Sequence, residues 1–331
     1  MTKDKKRKLI VIGIVWAASF LVAMLLVLHN NPLEDADTAR LKKISGCILL
    51  AAGVFLFTIF YDKMTTLPVE LWQNRRLIWK LSKNDFKKRY AGSYFGAVWA
   101  LVPPVVTVLM YYVVFDRIFH SGRQQITGSI DVPYVLFLTA GLVPWFFFSD
   151  AVSSGMTSLL EYNYLVKKVL FKISILPMIK INAALFVHIG FTGVLLLISV
   201  FYGYYPTIYW LQLIYYSAAE YILVLGLSYA TCAIVIFFRD LQQFVSILLQ
   251  VGMWATPILW NLAILRDRYK TIFKFNPMTY IVEGYRSAIY GDMWFWEHFY
   301  SSTYFWIFTA LLFVLSSLIF KKLKPHFADV M

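Results

Sequence analysis

The chain has 331 residues, 60% of them hydrophobic and 15% charged, where a soluble domain is roughly half apolar and a quarter charged. That balance excludes an ordinary water-soluble fold and makes lipid the solvent for most of the chain. The formal net charge of +13 does not indicate nucleic acid, which needs basic residues gathered on one soluble face; here they lie between apolar runs, where they orient a membrane protein and meet anionic headgroups.

Uncharged runs of about 18 or more residues have the length of a helix crossing a hydrocarbon core of roughly 30 Å. Unpaired backbone groups are costly in lipid, so each run must be helical, and no period-two alternation suggests a barrel. The expected fold class is therefore all-α.

The basic start Met1 to Lys8 leads into the uncharged run Leu9 to Leu28. This run is too long for a cleaved signal and ends at His29, Asn30, Asn31 and Pro32 instead of small residues, so it reads as a retained first span. Ile44 to Phe60 forms a second, making residues 1–62 a helical pair. Residues 63–95 are too polar to span. They combine Trp72 and Trp79 with Arg75, Arg76, Lys80 and Arg89, which suits a membrane interface where tryptophan sits at headgroup level and long cations reach water. On one continuous helix Trp72 and Trp79, seven apart, share a face. A solvated basic linker is the alternative.

A third span fits Ala97 to Phe115, with Pro103 and Pro104 near its start as sources of a kink. The fourth, Val132 to Ser154, holds Gly141, Pro144, the aromatic run Trp145 to Phe148, and Asp150. Ile181 to Phe201 and Leu211 to Phe238 follow, joined by Gly203, Tyr204, Tyr205 and Pro206 as a tight turn. Leu241 to Leu265 reads as a seventh span. Residues of about 266–291 carry Pro277, Glu283 and Arg286 and read as re-entrant or interfacial. Thr303 to Phe320, closed by Lys321, Lys322 and Lys324, is the last of about eight spans, and residues 324–331 are a tail.

An even number of spans places both termini on one side. Putting the termini, Lys63 to Arg89, Lys167 to Lys180 and Arg239 inside leaves about 21 of the 31 basic residues inward, so both termini are expected in the cytoplasm. Cys47 and Cys232 both lie in predicted spans and argue against a disulfide framework or thiolate metal site. The five histidines show no metal-ligand spacing. Asp150 and Glu220 are carboxylates inside apolar runs, hence functional candidates: Asp150 near the cytoplasmic end of its helix, Glu220 deeper, paired with a tyrosine hydroxyl or lining a path.

Three ordered stretches carry a resemblance. Leu77 to Phe119 joins a basic segment to RYAGSYFGAVW and a proline-containing helix. VPYVLFLTAGLVPWFFFSDAV and LLEYNYLVKKVLFKISILPMIKI fall within Val132 to Ile181. FFRDLQQFVSILLQVGMWATPILW and FNPMTYIVEGYRSAIYG fall within Phe237 to Gly291. Together they resemble the ABC-2 permeases that export lipid-linked polysaccharides, capsules, O-antigens and teichoic acids. The resemblance implies a six-helix core of the type V exporter kind at residues 96–323, preceded here by two extra helices that the family does not explain.

It also implies two copies of the permease with two copies of a separate ATPase that binds ATP and Mg. No G-x-x-x-x-G-K-[ST] loop occurs in this chain to hold nucleotide phosphates, so no cofactor is expected on it and it is not expected to be an enzyme. Residues 63–95 become an interfacial gate segment. Residues 161–177 become the coupling helix, with Tyr164, Leu165 and Val166 as an apolar docking surface and Lys167 and Lys168 for acidic groups. Arg239 and Asp240 are the second contact. One departure stands out: many relatives have proline after the position of Phe171, where this chain has Lys172. The alternative for this stretch is a basic loop obeying charge asymmetry.

An aromatic-rich path in the family lets glycan slide by weak contacts, which makes Tyr111, Tyr112, Trp145, Phe146 and Phe147 candidates, against the usual role of membrane aromatics in packing and belts. The expected partners are the ATPase, a second copy, a lipid-linked glycan and lipids, not nucleic acid. Two other functions remain open: export of a small lipid or drug on the same fold, and a membrane enzyme acting on lipid-linked sugar, which needs a catalytic cluster that the sequence does not display.

Overall fold

The computed structural model describes residues 3–28, 36–126, 131–166, 172–291 and 293–330. Its helices are α1 (Lys3–Leu28), α2 (Ala36–Ile59), α3 (Tyr61–Gln73), α4 (Arg75–Arg89), α5 (Val102–Tyr111), α6 (Tyr134–Glu161) and α7 (Asn163–Val166). They continue with α8 (Leu176–Phe201), α9 (Gln212–Val235), α10 (Leu241–Ala255), α11 (Asp267–Lys274), α12 (Pro277–Tyr290), α13 (Phe299–Leu323) and α14 (Phe327–Val330). Among the described residues the one strand pairing is short and antiparallel, β1 (Gln124–Gln125) with β2 (Asp131–Val132). The protein is an all-α membrane protein.

Among the described residues six helical stretches are long and apolar enough to cross a membrane: Lys8–Leu28, Gly96–Ile118, Tyr134–Glu161, Ile173–Phe201, Ile208–Val235 and Phe299–His326. Lys43–Ile59 and Leu241–Ala255 are apolar but shorter. The centre is α6, apolar all round, as a helix enclosed by others must be: 83% of its most apolar window is buried, against 6% in the first stretch. It packs against α8 and α9, and α9 packs on α13. Apolar burial gives little preference for protein over lipid, so close backbone approach at small residues has to hold such helices together. Gly155 on α6 supplies one: a Cβ there would lie 2.4 Å from Ser228 Oγ on α9. Gly252 on α10 supplies another, against the Trp145 ring at 2.9 Å.

The N-terminal pair stands at the edge. Trp16 Nε1 donates to Thr58 Oγ1 at 3.0 Å and Lys8 pairs with Asp62 at 2.5 Å, so α1 is held through α2 and the start of α3.

Four expectations change. Leu241 to Leu265 is not one helix: α10 ends at Ala255, Thr256 is extended, and the next turn is Leu262–Ile264. Pro257 forces the extended residue before it and cannot donate. Pro103 and Pro104 do not kink a running helix, because they occupy the first turn of α5 after a 3₁₀ turn at Gly96–Ala100, where a missing N–H costs nothing. The boundary placed at 62/63 falls inside α3, which begins at Tyr61. Trp72 and Trp79 share no helix face, since Asn74 divides the interfacial segment into α3 and α4.

Residues 161–177 are likewise not one helix. The described parts are the single turn α7, a 3₁₀ turn at Ile173–Ile175, and the start of α8 with Pro177 in its first turn. Lys167 and Lys168, and the side chains of Leu165 and Val166, lie outside the described residues. The turn at Gly203 is present, with φ of 89°, a left-handed conformation that glycine adopts without strain. After α10, Asn276 caps α12 by accepting from Met278 N at 3.0 Å, with Pro277 at its first position.

Candidate functional site

Although α4 is strongly basic and carries exposed Arg75, Arg76 and Lys80, it has a buried face. Ile78, Ser82 and Asp85, spaced four and three apart, form one stripe on the helix. That stripe lies on α8. Asn182 Nδ2 donates to Ser82 Oγ at 3.2 Å, and Lys180 Nζ donates to Asp85 Oδ1 at 3.0 Å. The Tyr162 hydroxyl, just past the end of α6, also donates to Asp85. Burial, then that bond to Asp85, pushes the Tyr162 phenol above its usual range, so it remains a donor. Lys180 is held further by Glu161 at 2.7 Å and lies 5.0 Å from the centre of the Tyr162 ring.

This network binds the middle of α4 to the residues that flank α7. Both Asp85 and Lys180 are buried, so their attraction is little screened, and removing either one strands the other charge. The adjoining 172–175 segment is tied as firmly: Ser174 Oγ donates to Glu70 of α3 at 2.6 Å, while Tyr229 donates to the Ser174 carbonyl at 2.5 Å.

At the end of α4 a cavity of about 500 Å³ opens between α4, α5, α6 and α8. Arg89 and Tyr90 stand at its mouth with Asp150; Pro103, Pro104, Phe146 and Phe147 form apolar walls; His188 lies deeper. Arg89 Nη1 is 3.5 Å from Asp150 Oδ2, and Arg89 Nε is 3.6 Å from Asp85 Oδ2. With Arg89 26% and Asp150 45% exposed, this mouth pair is long and hydrated, worth about 0–1 kcal/mol. An anion arriving at the mouth can displace it at small cost. Burial holds the Tyr90 phenol up from its usual value, keeping it a neutral donor. Below, the Phe147 ring lies 4.8 Å from the His188 ring, whose Nε2 is 2.8 Å from Tyr285 Oη.

Residues 76–290 match the ABC-2 type transporter family, covering well over half of the chain. The chain belongs to that family. Among curated relatives, the O-antigen export system permease protein RfbA of Myxococcus xanthus is 30% identical over 229 residues, 69% of this chain and 85% of the relative. RfbA of Klebsiella pneumoniae is 27% identical over 252 residues, 76% of this chain and 93% of the relative. The polysialic acid transport protein KpsM of Escherichia coli is 24% identical over 211 residues, 62% of this chain and 78% of the relative. These relatives are transport subunits and not enzymes, and ABC-2 permeases work with a separate ABC ATPase.

On this ABC-2 permease the sequence-derived site residues divide. Arg89, Phe146, Phe147 and Asp150, drawn from two different expected groups, meet at one cavity. Tyr111, Tyr112 and Trp145 do not line it: Tyr111 packs on Phe115, Tyr112 carries the Arg117 guanidinium at 5.5 Å, and Trp145 is buried against Phe148 and Gly252. Glu220 is fully buried and its carboxylate bonds to none of the described residues, so it lines neither the cavity nor any exposed path. Trp72 is 71% exposed with Arg75 stacked on it at 5.0 Å, and Trp79 packs edge-on against Phe186 at 5.3 Å. Tyr164, Arg239 and Asp240 are exposed at the same end of the bundle as Glu161 and Lys180.

Sequence reading missed Asp85, Lys180, Ser82, Asn182 and Tyr162. One signal was present: the i, i+4, i+7 spacing of Ile78, Ser82 and Asp85 in an otherwise basic segment marks a face that is not solvated.

Proposed function

We propose that this chain is the transmembrane permease subunit of an ATP-driven transporter exporting a lipid-linked polysaccharide or a teichoic-acid-like polymer across the cytoplasmic membrane. The observation that carries the reading is the cavity of about 500 Å³ at the end of α4, in a chain of the ABC-2 family whose relatives export O-antigen and polysialic acid. Its mouth offers the Arg89 cation and the Tyr90 donor to an anionic linker. Its walls offer Phe146, Phe147 and two prolines to a lipid or sugar face.

In this account α4 lies at the cytoplasmic interface and both termini are cytoplasmic. Two permease copies join two ATPase copies, which bind ATP and Mg. The ATPase docks on residues 161–177 together with Arg239 and Asp240. A shift of that docking segment pulls Tyr162 and Lys180, which pull Asp85 and therefore α4. Arg89, one turn beyond Asp85, then separates from Asp150 and the mouth widens.

Deleting the gene tests the proposal. The expected result is lipid-linked polymer accumulating in the cytoplasmic leaflet with none at the surface, reproduced by reversing the charges of Lys167 and Lys168. Normal surface polymer, in a cell with no second exporter, contradicts it.

A further inference from the structure

A second cavity, of about 360 Å³, lies at the other end of the bundle, between α9, α11, α12 and α13. Its place is fixed by Tyr134, the first residue of α6, which donates to the Leu259 carbonyl at 2.6 Å beside the cavity's Asn261. The volume falls in the range of small-ligand sites, roughly 300–1,000 Å³.

Tyr216 of α9 reaches the cavity only because residue 284 is glycine: a Cβ there would lie 2.1 Å from the Tyr216 ring. That ring is 1% exposed, and its hydroxyl makes no well-formed hydrogen bond among the described residues, with only the already bonded Tyr280 hydroxyl beside it. A buried hydroxyl so poorly paired is a cost to the fold that a ligand's donor or acceptor would relieve. The neighbouring tyrosines differ. Tyr280 is bonded to Ser302 at 2.7 Å and Tyr304 to the Phe275 carbonyl at 2.7 Å, so their hydroxyls are committed and their rings are held in fixed orientations. Fixed aromatic faces beside a poorly paired hydroxyl match a sugar, whose C–H faces are apolar and whose hydroxyls need partners.

The charges select within that class. Glu283 is neutralised by Arg286 at 2.7 Å, whereas Lys270 and Lys274 on α11 add two cations to the lining. Burial holds His298 below its usual value, so near neutral pH it adds hydrogen-bonding capacity without charge. What remains favours a hydroxylated ring bearing a negative group.

We infer that this cavity is a docking subsite for an acidic sugar residue of the exported chain, on the side where the polymer leaves. The inference rests on the export function proposed above. It gives the permease a second, weak hold on the glycan, at the far end from Arg89, so that a chain in transit is not lost backwards between strokes.

The test uses purified full-length permease with its ATPase in nanodiscs. Ser301→Cys is placed at the cavity in a Cys47→Ser background, Cys232 being fully buried, and its reaction with a charged thiol reagent is timed with glucuronic acid, glucose or inorganic phosphate present. Glucuronic acid is expected to slow labelling about fivefold at roughly four times its Kd, by simple occupancy. Glucose is expected to do less, and Lys274→Gln to narrow the difference between them. Tyr216→Phe, which deletes only that hydroxyl, is expected to keep the melting temperature while weakening protection by both sugars. Labelling indifferent to sugar, equal slowing by phosphate, slowing only when the nanodisc lipid is changed to an anionic one, or full protection in Tyr216→Phe would each overturn the subsite. Because labelling needs no transport, its failure is distinguishable from failure of the export proposal, which the surface-polymer measurement reads.

Discussion

Asp85 receives Tyr162 and Lys180 at one carboxylate oxygen and faces Arg89 with the other, which makes it the residue through which α4 is held. Asp85→Ala leaves Lys180 buried with Glu161 as its remaining carboxylate. Breaking a buried pair on one side costs about 3–5 kcal/mol, so a clear fall in the thermal midpoint is expected. Exchanging the charges in Asp85→Lys with Lys180→Asp is expected to recover part of it. Arg89→Ala is the contrasting case: its pair with half-exposed Asp150 is weak, and Asp85 keeps Tyr162 and Lys180 when Arg89 is lost, so stability should fall less than in Asp85→Ala while export falls. Measuring melting temperature beside surface polymer separates the two residues.

Arg286 is fully buried and donates to the carbonyls of Phe137 at 3.1 Å, Pro257 at 2.7 Å and Ile258 at 2.9 Å, besides Glu283. It thereby satisfies the backbone that Pro257 frees where α10 breaks. Arg286→Met should destabilise by about 3–5 kcal/mol. Arg286→Lys should not rescue it, because one ammonium cannot replace a planar fork spanning α6 and the break. Thermal unfolding of the purified variants checks both.

At the scale of elements, α6 and α9 are held together at Gly155. Gly155→Ala would place a Cβ 2.7 Å from the Ser228 Cβ, so the helices must part. A drop in melting temperature of several degrees is expected, with Ser228→Gly restoring it. Elements were also where the sequence was least complete. Length and apolarity made the long helices legible, and the ordered blocks around Leu77, Val132 and Phe237 made the family legible. The break after α10 was concealed because Ala255 to Leu265 stays apolar, so hydropathy ran on through the single proline that ends the helix. The division of α3 from α4 at Asn74 left no periodicity fault large enough to see. The candidate site was legible in parts: Arg89 and Asp150 were each visible as charges in unusual surroundings, but their meeting depends on how α4 lies across α6 and α8. Asp85 was hidden among lysines because charge counting treats a helix face as uniform, whereas its partner Lys180 lies 95 residues away.

At the scale of the molecule, the family match begins at residue 76, leaving α1, α2 and all of α3 outside it. The first helix is almost wholly exposed to its surroundings, and α2 reaches the rest mainly through α13 and α3. Removing residues 1–59 as a unit takes away the candidate span Lys8–Leu28 together with the shorter apolar helix Lys43–Ile59. The truncated chain is therefore expected to fold, to bind its ATPase and to melt within a few degrees of the full chain, because the α6, α8 and α9 core is untouched. Co-purification with the ATPase and a melting curve are the checks; loss of assembly would show that the pair braces the core.

The measurement that tests the account most directly is transport itself. Permease and ATPase are reconstituted in vesicles carrying lipid-linked polymer, with nucleotide on the side of α4 and a glycan-degrading enzyme on the other. ATP should expose the polymer to degradation, the non-hydrolysable analogue should not, and Arg89→Glu should abolish exposure while the ATPase remains bound. Polymer that stays protected with ATP, or that becomes exposed as readily in Arg89→Glu, would contradict export through the cavity at Arg89 and Asp150.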